Sequence, residues 1–392
     1  METTGRYPLE SLETSDKSRG VALALAAILG VFGGHRFYVG KTGTGVLMAV
    51  TVGGVGLWYL YDLILVASGS SPTRPDGFPF EHPRVHDSNE LLEISELPRS
   101  LAVVGAGVVG AEYASTFAAL GVAVHVIDGR DTLLPFLDHE VSAAMTAAMQ
   151  GHGIEFHWRE RVAACRAPEQ GDVVLKLSSG RELAVSDVLV TAGRTSNTAA
   201  LNLAAAGITP AERGVLRVNA VYQTEVTHIY AAGDVIGAPA LAATGMEQAR
   251  VAVCHAFALL DKQMAPLLPT GIYTIPEASM VGQTEQAVRE SGVPYLVGRA
   301  PYSKNPRGCL IGDESGFLKL IFRRDDMRLL GVHVLGEQAT ELVHVGAIAM
   351  LCEEGAPLFN RACFNFPTLG DLYKYAAYDA ILQSRGHQLK FS

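Results

Sequence analysis

The chain has 392 residues, 48% of them hydrophobic and 18% charged, with a formal net charge of -9. That length holds two or three domains with large cores, and the composition excludes a mainly disordered protein. The acidic balance, with no basic stripe to neutralise phosphates, excludes nucleic acid as the main partner.

Met1 to Ser18 is polar, without an apolar core, and reads as a loose tail. Gly20 to Gly34 carries no charge, His35 and Arg36 interrupt, and Thr42 to Tyr61 is again uncharged before Asp62 and Leu63-Ile64-Leu65-Val66. The second stretch is long enough to cross a bilayer, and the first reaches that length with Phe37-Tyr38-Val39. Trp58, Tyr59 and Tyr61 suit an interfacial aromatic belt. Two buried helices of a soluble protein are the alternative. A cleaved leader fits less well, because no basic head with a short apolar core precedes Gly20.

Gly33-Gly34-His35-Arg36-Phe37-Tyr38-Val39-Gly40, Gly43-Thr44-Gly45 and Trp58 with Tyr61-Asp62-Leu63-Ile64 resemble the two-helix membrane module called the TM2 domain, over about residues 19–69. The resemblance implies a transmembrane hairpin in contact with the lipid bilayer through residues 20–67. Two crossings place both ends on one side. The cofactor chemistry further on requires the cytosol, so the expectation is a multi-pass membrane protein with Met1, Ser392 and the soluble domain in the cytoplasm.

Ser68 to Pro83 is rich in Gly, Ser and Pro and reads as a linker leaving the membrane, and residues 70–97 lead from it toward the next domain. Leu101-Ala102-Val103-Val104 is then an apolar run of buried parallel-strand type that enters Gly105-Ala106-Gly107-Val108-Val109-Gly110. Ala111 to Leu120 has helical spacing, Gly121 ends it, and Val122 to Ile127 gives a second strand finishing at Asp128. In such a unit Gly105 makes the tight turn, Gly107 lets backbone approach a pyrophosphate, and Gly110 lets helix and strand pack closely. Free N–H groups at the helix start face the phosphates. Asp128 stands where a carboxylate accepts from an adenosine ribose, which favours NAD, whereas Arg130 offers a partner to the 2'-phosphate of NADP.

Further on, Glu140 to Met149 is a predicted helix, Ile154 to Trp158 a strand, Asp172 to Leu177 and Glu182-Leu183 a hairpin, and Val188 to Val190 a strand leading to Gly193-Arg194. Thr227 to Tyr230 runs into the Gly233-Asp234 corner, where the carboxylate can accept from ligand hydroxyls while nearby N–H groups meet phosphate. A helix over Leu241 to Leu260 follows. From Pro266 the pattern changes to strands, Gly316 to Phe322 and Leu329 to Val334 among them, with helices over Thr340 to Cys352 and Asp371 to Leu382. His157 has no second ligand at metal spacing and reads as a partly exposed strand residue. The cysteines, Cys165, Cys254, Cys309, Cys352 and Cys363, lie far apart and form no metal-ligand pattern.

From about His82 onward the chain resembles the pyridine-nucleotide-disulfide oxidoreductase flavoproteins, and within them the soluble pyridine nucleotide transhydrogenases. The likeness rests on His82-Pro83-Arg84 with His86-Asp87-Ser88, Gly105 to Ser115, Leu189 to Asn197, Tyr230 to Gly237, Pro269 to Glu277 and Phe364-Asn365-Phe366-Pro367-Thr368. It implies an α/β fold of Rossmann-like FAD- and NAD(P)-binding domains with an α+β dimerisation domain. The NAD(P) domain would span 98–212, part of an FAD domain 213–265, and a homodimerising region 266–392. NAD or NADP contacts would come from Gly105, Gly107, Gly110, Glu112, Asp128 and Arg130, with Gly193, Arg194, Gly233 and Asp234 completing the cofactor sites. Related disulfide reductases carry an acid–base histidine where this chain has Phe366, which fits hydride exchange between NADPH and NAD+ through FAD with no catalytic side chain. The family ordinarily begins with a further glycine turn for FAD. With a membrane module in that place, the first FAD-binding half is expected to be absent and the flavin site incomplete. A membrane-anchored nucleotide-binding remnant without turnover is then the alternative.

Overall fold

A computed structural model of the chain describes residues 64–259 and 261–387. Residues 1–63, which hold the polar tail and most of the expected hairpin, lie outside the described residues. The chain divides into two compact units, one of residues 1–71 and 194–265, the other of residues 72–193 and 266–392.

In the first unit, strand Leu65–Val66 pairs in parallel with strand Tyr230–Ala231. The Tyr230 N–H donates to the Ile64 carbonyl at 3.3 Å and the Ala232 N–H to that of Val66 at 3.1 Å. Val66 packs on a core of Leu203, Ile208, Leu216, Ile229, Ala231 and Val235. Residues read as the end of a membrane helix are therefore a half-buried strand, a correction with a simple cause. An uncharged apolar run satisfies a two-sided sheet as well as a bilayer. Among the described residues no helix is long and apolar enough to cross a membrane. Ser70–Pro72 pairs with Arg194–Ser196, so the Gly-Ser-Pro stretch also contributes a strand. The helix that follows the Gly-Asp corner runs over Ala242–Ala256.

The second unit is built on a five-stranded parallel sheet in the order Val85–Asp87, Asp187–Val190, Ser100–Val104, Ala123–Asp128 and Glu155–Trp158. Both faces are covered, which is why the central strand is apolar at successive positions. Leu101 and Val103 pack with the helix Val108–Ala119, and Ala102 faces the opposite cluster containing Val173, Leu175 and Val185. Those last residues belong to a three-stranded antiparallel sheet, whose strand Val162–Arg166 has too little alternation to be predicted.

Residues 266–387 form a five-stranded antiparallel sheet of Thr270–Ile272, Ala278–Gly282, Leu329–Leu335, Phe317–Arg323 and Tyr295–Pro301. Helices Ala339–Leu351 and Leu372–Ser384 cover one face through Val343, Tyr373 and Ala376. This sheet meets the nucleotide-binding region through a buried cation. Lys319, 1% exposed, places Nζ 2.7 Å from Asp138 Oδ1, 2.7 Å from Glu285 Oε2 and 2.9 Å from Glu140 Oε2. Asp138 also caps the helix His139–Gly151, accepting from the Glu140 N–H at 3.0 Å.

Candidate functional site: a dinucleotide-binding turn and a Gly-Asp corner

The turn after Ser100–Val104 assigns each glycine a separate duty. Gly105 has φ +110°, and a Cβ there would lie 2.7 Å from the Thr191 carbonyl oxygen; one on Gly110 would lie 2.0 Å from that of Gly105. These two positions are closed by the protein itself. Gly107 caps the helix with φ -76°, a conformation open to any residue, and a Cβ there would meet nothing within 4 Å. The space above Gly107 is thus open beside the first turn of a helix, whose N–H groups have no intrahelical acceptor. No protein atom accounts for glycine at this position, and an open space beside a helix N-terminus is chemically suited to an anion.

Asp128 ends the next strand beside the turn. Its Oδ2 accepts from the Ala106 N–H at 2.7 Å, and its Oδ1 from the Arg130 N–H at 2.8 Å. Arg130 also donates Nε to Oδ1 at 2.8 Å and Nη2 to Oδ2 at 2.7 Å. Burial alone would raise the Asp128 pKa, but donation from Arg130 and Ala106 outweighs it and holds the carboxyl down at about 2. The pairing in turn raises the Arg130 pKa. The two residues whose charges favour different nucleotides are here partners in one ion pair.

Glu112, on the exposed side of the helix Val108–Ala119, accepts from the Tyr273 N–H at 2.9 Å. Ser115 accepts from the Ile275 N–H at 3.2 Å. The helix that begins at the glycine turn therefore holds the segment before Pro276, a tie that sequence spacing could not give because it spans 161 positions.

The Gly-Asp corner lies in the other unit. Gly233, at φ +78°, has nothing within 4 Å of a built Cβ, and its N–H donates to Gln248 Oε1 at 2.8 Å. Asp234 Oδ2 accepts from Ser70 Oγ at 2.7 Å, and Ser70 in turn accepts from Arg194 Nε at 2.7 Å. Arg194 Nε stands 3.9 Å from Asp234 Oδ2. Gly193, at φ +96°, contributes its carbonyl to the Thr73 N–H at 2.9 Å. Sequence reasoning missed Ser70 and Gln248. Ser70 sits in a stretch that looks like linker, and Gln248 is a buried polar residue on an otherwise ordinary helix. The Gly233 backbone thus lies partly exposed beside the Asp234 carboxylate, with its N–H already held by Gln248.

A glycine turn feeding a helix, an acidic strand end and a Gly-Asp corner define a dinucleotide-dependent α/β oxidoreductase. The family described as pyridine nucleotide-disulphide oxidoreductase matches residues 14–256, and its dimerisation domain matches residues 268–377. A soluble pyridine nucleotide transhydrogenase of Mycobacterium tuberculosis is 44% identical over 324 residues, covering 83% of this chain and 69% of that protein. One from Colwellia psychrerythraea is 41% identical over 325 residues, covering 81% and 69%. Among solved structures, LpdA from Mycobacterium tuberculosis superimposes with a TM-score of 0.74 at 29% identity, covering 81% of this chain and 69% of that one. The HOCl-induced flavoprotein disulfide reductase RclA from Escherichia coli gives 0.75 at 26%, covering 79% and 72%. The chain belongs to the pyridine nucleotide-disulphide oxidoreductase family. It is a flavoprotein oxidoreductase of that superfamily, with NAD(P) and FAD as cofactors.

These matches correct four expectations. The family match begins at residue 14 and runs through both uncharged stretches, so residues 19–69 are not a TM2-like hairpin fused to a truncated enzyme. Bilayer contact through residues 20–67 falls with it, and so does the multi-pass cytoplasm-facing placement. The first FAD-binding half is present in the match rather than absent. The physical reason is shared: hydropathy alone does not separate an uncharged apolar stretch of a folded domain from a membrane span. The C-terminal match supports homodimerisation through that region.

Proposed function

We infer that the chain exchanges hydride between nicotinamide dinucleotides, NADPH and NAD+, as a transhydrogenase. The observation that carries this is Phe366, which stands before the Pro367-Thr368 pair and is 71% exposed. A phenyl ring holds no proton to give to a thiol. The five cysteines lie far apart in sequence, the two nearest being Cys352 and Cys363, so the chain carries no closely spaced cysteine pair of the kind a dithiol relay uses. Bound flavin supplies the hydride acceptor and donor. The chain supplies the open backbone at Gly107 for the pyrophosphate, Asp128 and Arg130 for the adenosine end, and Gly233 with Asp234 for the flavin nucleotide. Glu112, held by the Tyr273 N–H, fixes the helix that presents the turn. The relatives named transhydrogenase support the same reading.

The test is a parallel assay of the full chain with NADPH as donor, using 3-acetylpyridine adenine dinucleotide in one arm and a disulfide, such as glutathione disulfide, in the other. Reduction of the nucleotide analogue without a disulfide is the expected result. Turnover confined to the disulfide arm overturns the assignment.

A further inference from the structure

On the nucleotide-binding sheet, strand Glu155–Trp158 is the edge, and its register sets His125 opposite Glu155 and Ile127 opposite His157. Since side chains alternate along a strand, Glu155, His157 and His125 project from one face. Their ligand atoms converge. His125 Nδ1 lies 3.2 Å from Glu155 Oε2 and 3.3 Å from His157 Nε2, while His157 Nε2 lies 4.0 Å from Glu155 Oε2. The two imidazole rings stack with centroids 5.5 Å apart, and the His157 side chain is only 9% exposed, so the pair is held in place.

Two of these three separations match a metal polyhedron, and the third, 4.0 Å, closes with a small turn of the exposed Glu155 side chain. Metal–nitrogen bonds of roughly 2.0–2.1 Å in a tetrahedron put neighbouring ligand atoms about 3.3 Å apart. Without a cation the same arrangement is poorly satisfied. Arg181 Nη2 donates to His157 Nδ1, which leaves the ring proton on Nε2, pointing at His125 Nδ1. That makes His125 Nδ1 the acceptor of this proton, with a Glu155 carboxylate oxygen only 3.2 Å from the same nitrogen. Two acceptors in contact call for a positive charge between them.

We propose that His125, His157 and Glu155 form a binding site for one divalent cation of the zinc class, on the edge strand of the nucleotide-binding sheet. Two imidazoles and one carboxylate suit a borderline cation, with at least one position left to water. On binding, His157 coordinates through Nε2, its proton moves to Nδ1, and the exposed Arg181 side chain turns into solvent. The cation clips together two strands whose ends shape the cofactor pair, because the Arg159 N–H donates to the Arg130 carbonyl at 2.9 Å and the Glu160 N–H to that of Asp128 at 3.1 Å. Sequence spacing could not reveal the site, since His125 and His157 are 32 positions apart.

The experiment is calorimetric titration of the full, chelator-treated chain with Zn2+ alone, with the thermal midpoint recorded at each zinc concentration. One ion per chain, a midpoint that rises with zinc, and binding weakened at least about tenfold in both His125→Ala and Glu155→Gln are expected. Glu155 is 66% exposed, so its variant tests the site without disturbing the core. His152→Ala, an exposed histidine outside the cluster, should bind as the parent does. Absence of saturable binding, or equal affinity in the parent, His125→Ala and Glu155→Gln, overturns the proposal.

Discussion

Arg130 closes on Asp128 as a two-pronged ion pair, Nε 2.8 Å from Oδ1 and Nη2 2.7 Å from Oδ2. Together with the N–H groups of Ala106 and Arg130, four donors occupy a carboxylate that has about four lone-pair sites. A ribose hydroxyl can therefore reach Asp128 only when Arg130 turns away, and the guanidinium, 45% exposed, has room to do so. Once turned, it stands free for a 2'-phosphate. If these side chains meet the adenosine end as proposed, removing either partner should release the other toward its own nucleotide.

Asp128→Ala frees Arg130 and removes the charge that repels a 2'-phosphate, so the ratio of NADPH to NADH affinity should rise by at least about tenfold. Arg130→Ala bares the carboxylate and should move the ratio toward NADH. Dissociation constants for both nucleotides at one fixed ionic strength check this, because screening weakens the arginine contribution. A ratio unchanged in both variants would show that neither side chain meets the adenosine end.

The same carboxylate should appear in acid stability. Its folded pKa is depressed to about 2, below the unfolded value of about 3.9. A depressed carboxyl contributes stability that is complete above about pH 4 and is lost as pH falls toward about 2. The contribution is about 2 kcal/mol. Urea unfolding of Asp128→Asn near neutral pH should show a deficit of that order, and the gap to the parent should close as the solution is made acid.

Most of the nucleotide-binding region was legible because its signals are local. The turn from Gly105 to Gly110, the helix Val108–Ala119 and the strand ending at Asp128 form a contiguous unit with period and punctuation in agreement. The Asp128–Arg130 pair was not legible, since the spacing gives proximity and says nothing of which donors the carboxylate accepts. Ser70 beside Asp234 and Lys319 beside Asp138 were hidden for another reason, being 164 and 181 positions apart. The N-terminal misreading has a different source. Leu65–Val66 is as apolar as a membrane segment, and only its pairing with Tyr230–Ala231 identifies it as strand.

Gly107 and Gly110 should separate binding from folding. A methyl on Gly107 meets nothing within 4 Å, so Gly107→Ala should keep the parent's thermal midpoint while weakening NADH by at least about tenfold, the added carbon occupying the pyrophosphate's approach. On Gly110 the same methyl would collide with the Gly105 carbonyl oxygen at 2.0 Å, so Gly110→Ala should lower the midpoint even without nucleotide. Calorimetry and thermal unfolding of the two proteins side by side decide it. Equal stability loss in both would mean that Gly107 serves the turn and not a ligand.

Lys319 offers the sharpest test of what joins the C-terminal sheet to the nucleotide-binding region. Its ammonium is 1% exposed and touches Asp138, Glu285 and Glu140. Burial by itself would lower its pKa, but the three carboxylates more than offset that and raise it. A raised lysine contributes stability that is complete at neutral pH and lost only in strong alkali, as pH climbs through its folded pKa. Lys319→Met removes the cation and leaves the acids behind. Glu140 and Glu285 keep Arg299, at 2.8 and 3.7 Å, whereas Asp138 is left with neutral donors such as the N–H groups of Glu140 and Glu285. An uncompensated buried carboxylate costs about 3–5 kcal/mol, so a fall in stability of that size is expected near neutral pH. Asp138 is held ionised in the parent, its pKa lowered despite burial by Lys319 and its other donors. In the variant that support is weakened, so protonation should relieve the strain and the deficit should shrink as pH falls into the carboxyl range. Adding Asp138→Asn to Lys319→Met removes the stranded charge and should restore part of the loss. Thermal and urea unfolding of the single and double variants check the argument. A single variant as stable as the parent, or a double variant less stable than the single, would show that the cation is not what holds these acids in place.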